Sequence, residues 1–310
     1  MSFGVVFPGQ GSQRVGMLEE AAGAFSVVSD TFFEASEALG YDLWQLVSQG
    51  PAEKLGLTEY TQPAILTGSV ALYRAFTEVN VFRPLAGAGH SLGEYSALVS
   101  AGALSLADGV RLVRQRGAAM QDAVPVGVGA MAVVMGLDDC VVTDTCNRLS
   151  SAGSFVGGVN FNAPGQVVIA GHAAAVDAAL RALKDAGARR VMPLPVSAPF
   201  HTPLMQPAAE VMQRAFEDVN WSTPRFPVVS NVDGSLQTNA DSIRDSLVKQ
   251  ISAPVLWTAC MATLRETGCT HFVECGPGNV LSGLSKRIDK SIPVKSIEAV
   301  AAIEAGVTDF

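Results

Sequence analysis

The chain is short of charge, and that shortage is the first bound on what it does. Only 16% of its 310 residues are Asp, Glu, Lys or Arg, and the balance is −8 at neutral pH. No long basic stripe offsets that balance, so nucleic acid is not an expected partner. An acidic partner would need a local basic patch. Cysteine is scarce too. The five present (Cys140, Cys146, Cys260, Cys269, Cys275) form no C-x-x-C pair, and their odd number fits free thiols in a reducing cytosol. Long apolar runs are missing. Residues 149–176 carry no formal charge but are interrupted throughout by Gly, Ser, Asn and Pro, so no membrane span is expected. The N-terminus shows no basic stretch followed by an apolar core, and a cytoplasmic location is the expectation.

What is present suits a large globular chain. Apolar residues reach 48%, with thirty glycines and sixteen prolines spread along the sequence as turns and close approaches. The length calls for two domains, or one with an insertion. Phe3–Phe7 reads as a short apolar strand, and 21–48 as helix, with Phe25, Val28, Phe32 and Phe33 near helical spacing. A second helix is expected from about Pro63 to Val79, proline being tolerated in a first turn. Pro84–His90 reads as a buried strand and Leu92–Ala101 as a helix. Ser105 and Asp108 open another helix, to about Ala123, with a capping box.

Residues 126–196 change rhythm. Their order is β-α-β-β-α-β, the ferredoxin-like pattern. The predicted fold class is therefore α/β: a large hydrolase-like domain with a parallel-sheet core, and a small ferredoxin-like domain inserted in it. The boundaries are 1–125 and 197–310 for the large domain and 126–196 for the small one.

Gly89-His90-Ser91-Leu92-Gly93 matches G-x-S-x-G between a predicted strand and a predicted helix, the setting that motif requires. The glycines make room for a tight turn that lifts the Ser91 hydroxyl to a helix N-terminus, where N–H groups favour a developing oxyanion. A dinucleotide loop starting at Gly87 would need glycine at 92, where Leu92 stands. A neutral serine needs a base. Of the four histidines, His90 adjoins Ser91 and suits core packing or a local hydrogen bond, His172 follows a strand and is expected to cap a helix, and His271 heads a strand. His201 leads, in a loop made rigid by Pro199 and Pro203. Arg116 projects into the apolar arc of its helix, between Leu112 and Met120, whereas Arg111 and Arg114 point to solvent. A core-facing cation is paired or serves a ligand. The residues alone leave both readings open.

Several motifs in order resemble one family. They are Phe7-Pro8-Gly9-Gln10-Gly11-Ser12, Thr61-Gln62-Pro63-Ala64, Gly89–Tyr95, Arg114-Gln115-Arg116-Gly117, Asn160–Gln166, Pro199-Phe200-His201, Asn231-Val232-Asp233-Gly234, Gln250–Val255 and Glu274–Gly278. The chain resembles the malonyl-CoA:acyl carrier protein transacylases and the acyltransferase domains of fatty-acid and polyketide synthases. That resemblance implies transfer of a malonyl group from malonyl-CoA, through an ester on Ser91, to the thiol of an acyl carrier protein. It implies His201 as base and later acid, the Gln250 carbonyl as its orienter, and Gln10 and Leu92 N–H groups as oxyanion hole. It makes Arg116 the holder of the malonyl carboxylate, with Met120, Asn160, Asn162 and Phe200 around the substrate. Bulk at Phe200 would exclude a methyl branch. Arg189, Arg190, Lys286 and Arg287 are the candidates for docking an acidic carrier. No metal or tightly bound cofactor is expected, and a monomer is. A serine hydrolase would place an aspartate between Ser91 and His201 in chain order; Asp177 and Asp185 precede His201, yet both sit on the Ala-rich helix of the small domain, and the motif set does not match that class. A carrier-binding subunit without catalysis would not need Ser91, His201 and Arg116 together.

Overall fold

The structure, a computed structural model, describes residues 2–196 and 198–307. Ten strands form two sheets: β1 (Phe3–Phe7), β2 (Ala86–Gly89), β3 (Gly129–Met135), β4 (Val156–Ala163), β5 (Gln166–His172), β6 (Arg190–Pro193), β7 (Val228–Val229), β8 (Leu236–Gln237), β9 (His271–Glu274) and β10 (Val294–Ser296). The larger sheet has the order β10-β9-β1-β2-β7-β8 and is parallel except for the terminal β7–β8 pair. Val5, Val6 and Phe7 are fully buried, because a central parallel strand has helices on both faces. That explains a strand which is apolar at nearly every position rather than at alternate ones.

The smaller sheet has the order β4-β5-β3-β6 and is antiparallel throughout. Helices Asp139–Leu149 and Ala173–Asp185 complete the ferredoxin-like order. Alternation sorts its side chains by face. Ala132, Val134, Val167 and Ile169 pack with Val142, Cys146, Val176 and Leu183 of those helices. Met131, Val168 and Ala170 face the other way, against Leu194, Val196 and Phe200. We propose the division at 126 and 196, which brackets these elements; residue 197, where the second segment of the large domain would begin, lies outside the described residues. The small sheet is tied to the remainder of the chain by main chain: Phe161 N–H donates to the Val255 carbonyl at 2.9 Å, and Val255 N–H to the Val159 carbonyl at 2.8 Å.

Two helical readings are corrected. Residues 21–48 are not one helix but three pieces, Glu19–Ala24, Ser26–Leu39 and Leu43–Gln49. Phe25 is extended at the first break, and Gly40 takes a left-handed conformation at the second, a residue type with no Cβ penalty there. The long helix runs Thr58–Val79, so Pro63 lies within it rather than at its start. Ser105 does cap Leu106–Asp122, its hydroxyl accepting from the Asp108 N–H at 3.0 Å.

Candidate active site

Ser91 stands on the turn between β2 and the helix Leu92–Ser100, with φ +52° and ψ −106°. A positive φ is costly for a residue with a side chain, so the turn persists only where the surroundings enforce it. The flanking glycines are what permit it. A Cβ on Gly89 would lie 1.8 Å from the Gly93 carbonyl carbon, and one on Gly93 would lie 2.2 Å from the Phe7 carbonyl oxygen. Asn231, just after β7, then clasps the turn. Its Oδ1 accepts from the Ser91 N–H at 2.6 Å and its Nδ2 donates to the Gly89 carbonyl at 2.8 Å.

His201 comes from the loop after the small sheet and also has a positive φ, of 62°. Its Nε2 lies 2.7 Å from Ser91 Oγ, and its Nδ1 lies 2.8 Å from the Gln250 carbonyl oxygen. A carbonyl only accepts, so Nδ1 carries the proton and Nε2 is the free acceptor. Burial, reinforced by the nearby Arg116 charge, pushes the His201 imidazolium down to about 3. The ring is therefore neutral at physiological pH, with its Nε2 lone pair turned to the Ser91 hydroxyl. Among the described residues no carboxylate pairs with it, and Asp177 and Asp185 are both exposed on their helix.

Arg116, 1% exposed, sits on the other side of the nucleophile. Its Nη1 donates to Gln62 Oε1 at 2.9 Å, and its Nη2 to Gln250 Oε1 at 2.8 Å and Ser91 Oγ at 3.1 Å. All three acceptors are neutral, and among the described residues Arg116 forms no ion pair. Its helix neighbours behave differently. Arg111 is exposed and donates to the Ala38 carbonyl, whereas Arg114 is half-buried, not solvent-pointing as its projection predicted, and donates to the Leu39 carbonyl.

A cavity of about 530 Å³ opens over these groups and lies between the two sheets. Ser91, Leu92, Gln10, Arg116, His201, Met120, Asn160, Asn162 and Phe200 all line it, so the sequence-predicted catalytic and pocket residues come together. The N–H groups of Gln10 and Leu92 have no acceptor among the described residues. Gln250 lies behind the wall rather than in it, fully buried. Asn162 Oδ1 meets His90 Nε2 at 2.7 Å, so His90 has the local hydrogen bond expected of it, and Asn160 Oδ1 is buried without a protein partner. His172 holds the N-cap position of its helix, as expected, but its side chain makes no cap hydrogen bond; its Nδ1 accepts instead from the Phe155 N–H at 2.9 Å.

The four basic docking candidates are exposed and lie outside the cavity. Arg190 and Gln166 both stand opposite Met135, on either side of β3, and Arg287 donates to Gln166. Arg190 and the Arg287 partner Gln166 thus lie at the same end of the small sheet, two strands apart, on the face that carries Met131 and Val168 into the cavity. Sequence reasoning missed three site residues: Gln62, Glu94 and Asn231. Each lay inside a quoted motif, but only folding reveals that their polar atoms converge on Ser91, Arg116 and Gln250. Among the described residues, no group of three or more His, Cys, Asp or Glu side chains could hold a metal, and no helix is long and apolar enough to cross a membrane.

The acyl transferase domain family matches the chain over residues 5–310. The malonyl CoA-acyl carrier protein transacylase of Escherichia coli K12 is 51% identical over 305 residues, covering 98% of this chain and 98% of the relative. Among solved structures, the corresponding transacylase of Coxiella burnetii superposes with a TM-score of 0.96 at 44% identity, covering 98% of this chain and 96% of that one. A malonyl-transacylase solved with its type II polyketide synthase acyl-carrier protein superposes with a TM-score of 0.97 at 47% identity, each chain fully covered.

Proposed function

The chain belongs to the acyl transferase domain family, and from that membership we infer that it moves malonyl groups from malonyl-CoA to the phosphopantetheine thiol of an acyl carrier protein. It is an acyltransferase, and its product supplies extender units for fatty-acid synthesis. The observation that carries the malonyl specificity is the buried Arg116 cation beside the nucleophile, with neutral acceptors and no ion pair. Burying an unpaired charge is expensive, and a ligand carboxylate bound in two parallel hydrogen bonds offsets that cost.

The chemistry follows from the proton positions. Ser91 gives its hydroxyl proton to His201 Nε2 as Oγ attacks the thioester carbonyl. The oxyanion forms against the free N–H groups of Gln10 and Leu92, each such donor contributing about 2.7–4 kcal/mol. The C–S bond breaks, His201 returns the proton to the departing coenzyme A sulfur, and the malonyl ester remains on Ser91. The carrier thiol then gives its proton to His201 and attacks the ester, and Ser91 leaves with that proton. Thioester is exchanged for thioester, so a dyad held by a carbonyl suffices without a buried aspartate. Asn160 and Asn162 line the path of the acyl group, and Phe200 and Met120 narrow it. Arg190 and Arg287, with Arg189 and Lys286 beside them, meet the acidic carrier where the small sheet leads outward. The enzyme acts as a cytoplasmic monomer with no tightly bound cofactor, coenzyme A entering only as its thioester substrate.

Intact mass after brief mixing with malonyl-CoA, without carrier, tests this reading. Wild type is expected to gain one malonyl group, Ser91→Ala none, and Arg116→Ala far less than wild type. Accumulation of free malonate without an adduct would instead indicate a hydrolase, and no turnover at all a binding protein.

A further inference from the structure

The carboxylate of Glu94 has no step in the transfer described above, yet it stands directly behind it. It lies in the first turn of the helix that Ser91 opens and is 2% exposed. Its Oε2 accepts from the Asn231 N–H at 3.1 Å and from Gln250 Nε2 at 2.9 Å. No basic side chain forms an ion pair with it among the described residues. Two neutral donors could be met by an amide oxygen, so the need to satisfy them does not explain a buried carboxylate.

Gln250 supplies the explanation. Its Nε2 also donates to the Ser91 carbonyl at 2.9 Å, its Oε1 accepts from Arg116 at 2.8 Å, and its main-chain carbonyl faces His201. An amide can turn over, exchanging its oxygen and nitrogen. The Ser91 carbonyl and an ionised carboxylate only accept, and a guanidinium only donates, so all three hold the Gln250 NH₂ toward Glu94 and its oxygen toward Arg116. Of the two acceptors of that NH₂, Glu94 is the one that can carry charge, and a charge-assisted hydrogen bond holds the amide more firmly than a neutral one.

We propose that Glu94 is a positioning residue for the acyl transfer, acting through Gln250 to hold Arg116 and His201 in register with Ser91. The proposal rests on the transacylase reading above. Its signature is coupling: the Glu94 and Gln250 side chains serve one function, so losing both costs little more than losing one.

The test is a double-variant cycle of Glu94→Leu and Gln250→Met, following kcat and KM for malonyl-CoA and acetyl-CoA. Each single variant is expected to lose roughly 10²-fold in kcat/KM for the malonyl donor, the loss typical of a misplaced reacting group. The malonyl-to-acetyl ratio should fall in both, and the double variant should be no worse than the poorer single. A Glu94→Leu rate within twofold of wild type, or losses that multiply in the double, overturns the proposal even if the melting temperature drops. If Glu94→Leu does not fold, Glu94→Gln decides: it removes the charged acceptor that holds the Gln250 NH₂, and an unchanged malonyl-to-acetyl ratio overturns the idea. A malonyl adduct on wild type but not on Ser91→Ala is measured alongside. Its absence would remove the transacylase reading itself, whereas its presence with unaffected Glu94 variants would remove Glu94 alone.

Discussion

Arg116 Nη2 donates to Ser91 Oγ across 3.1 Å, so the cation proposed to bind the substrate also holds the proposed nucleophile. The same oxygen lies 2.7 Å from His201 Nε2. A lone pair engaged by a guanidinium is a poorer nucleophile. On the proposed reading, a malonyl carboxylate would compete for that guanidinium, and its arrival would free the hydroxyl for attack. An acetyl donor would bring no such competitor, so one residue would both bind the correct substrate and restrain reaction with the wrong one.

Arg116→Ala is accordingly expected to lose at least about 10²-fold in kcat/KM for malonyl-CoA, from charge-assisted bonds of roughly 1.5–3 kcal/mol each. Acetyl transfer should be retained or rise. Arg116→Lys should not restore malonyl transfer, since an ammonium cannot reproduce the planar fork that meets Gln62 and Gln250 at once. Steady-state kinetics with both donors decide it. Equal losses with malonyl and acetyl donors would remove the carboxylate role.

His201 is expected to stay neutral far into acid. Its folded-state pKa is lowered to about 3, first by burial and then by the Arg116 charge. A base that protonates more readily when unfolded destabilises the fold as pH drops below its ordinary value near 6.5. The imidazole resonances of His201 should therefore not shift between pH 8 and 5, and Arg116→Ala should move its titration upward. A His201 titration near 6.5 in the wild type would contradict the buried, cation-flanked geometry.

Glu94 predicts the opposite of an ordinary charge loss. Burial raises its carboxyl to about 7, more than the hydrogen bonds from Gln250 and Asn231 and the Arg116 charge lower it. Between the unfolded value near 4.5 and that figure, the folded chain holds a proton that the unfolded chain has released. Stability thus falls as pH climbs through this window, and the cost persists above it, on the order of a few kcal/mol. Glu94→Gln should melt higher than wild type at pH 8, with the gap closing toward pH 5. A stabilising variant that impairs donor selection would identify a residue kept for function.

Much of this site could be read in advance because its constraints are local. Gly89 is dictated by contact with Gly93 inside one turn, and the Arg116 direction by helical periodicity alone. The β-α-β-β-α-β order of 126–196 needed only alternation and turn residues. What stayed hidden depends on distant chain. Glu94, Gln62 and Asn231 are polar residues whose burial follows from elements up to 156 positions apart, and nothing in their neighbours marks it. The breaks at Phe25 and Gly40 were obscured because the apolar spacing continues across them while the backbone does not.

Reversal of charge at the end of the small sheet should separate the two thiols the enzyme serves. Lys286→Glu with Arg287→Glu is expected to raise the KM for the acidic carrier several-fold and to leave that for malonyl-CoA nearly unchanged. The effect should shrink with added salt, because exposed charges are screened over about 8 Å at physiological ionic strength. Equal changes in both KM values would place the pair at a site common to both substrates, or at none.

Phe200 is the remaining residue proposed to select the donor. It is half-buried, lines the cavity beside His201, and packs against Met131, Val159 and Val168 of the small sheet. That backing matters, because a ring braced by a sheet cannot swing aside for a branched acyl group. Phe200→Ser removes the bulk while Pro199 and His201 keep their places, so malonyl transfer should survive and methylmalonyl transfer should rise. One methyl group in an apolar pocket is worth about 1–3 kcal/mol, which sets the expected change in the donor ratio at roughly 10- to 200-fold. Competition between malonyl-CoA and methylmalonyl-CoA for a limited amount of carrier measures that ratio directly. If it stays where wild type has it, the methyl branch is excluded by the wall opposite, where Met120 and Gln62 close the cavity.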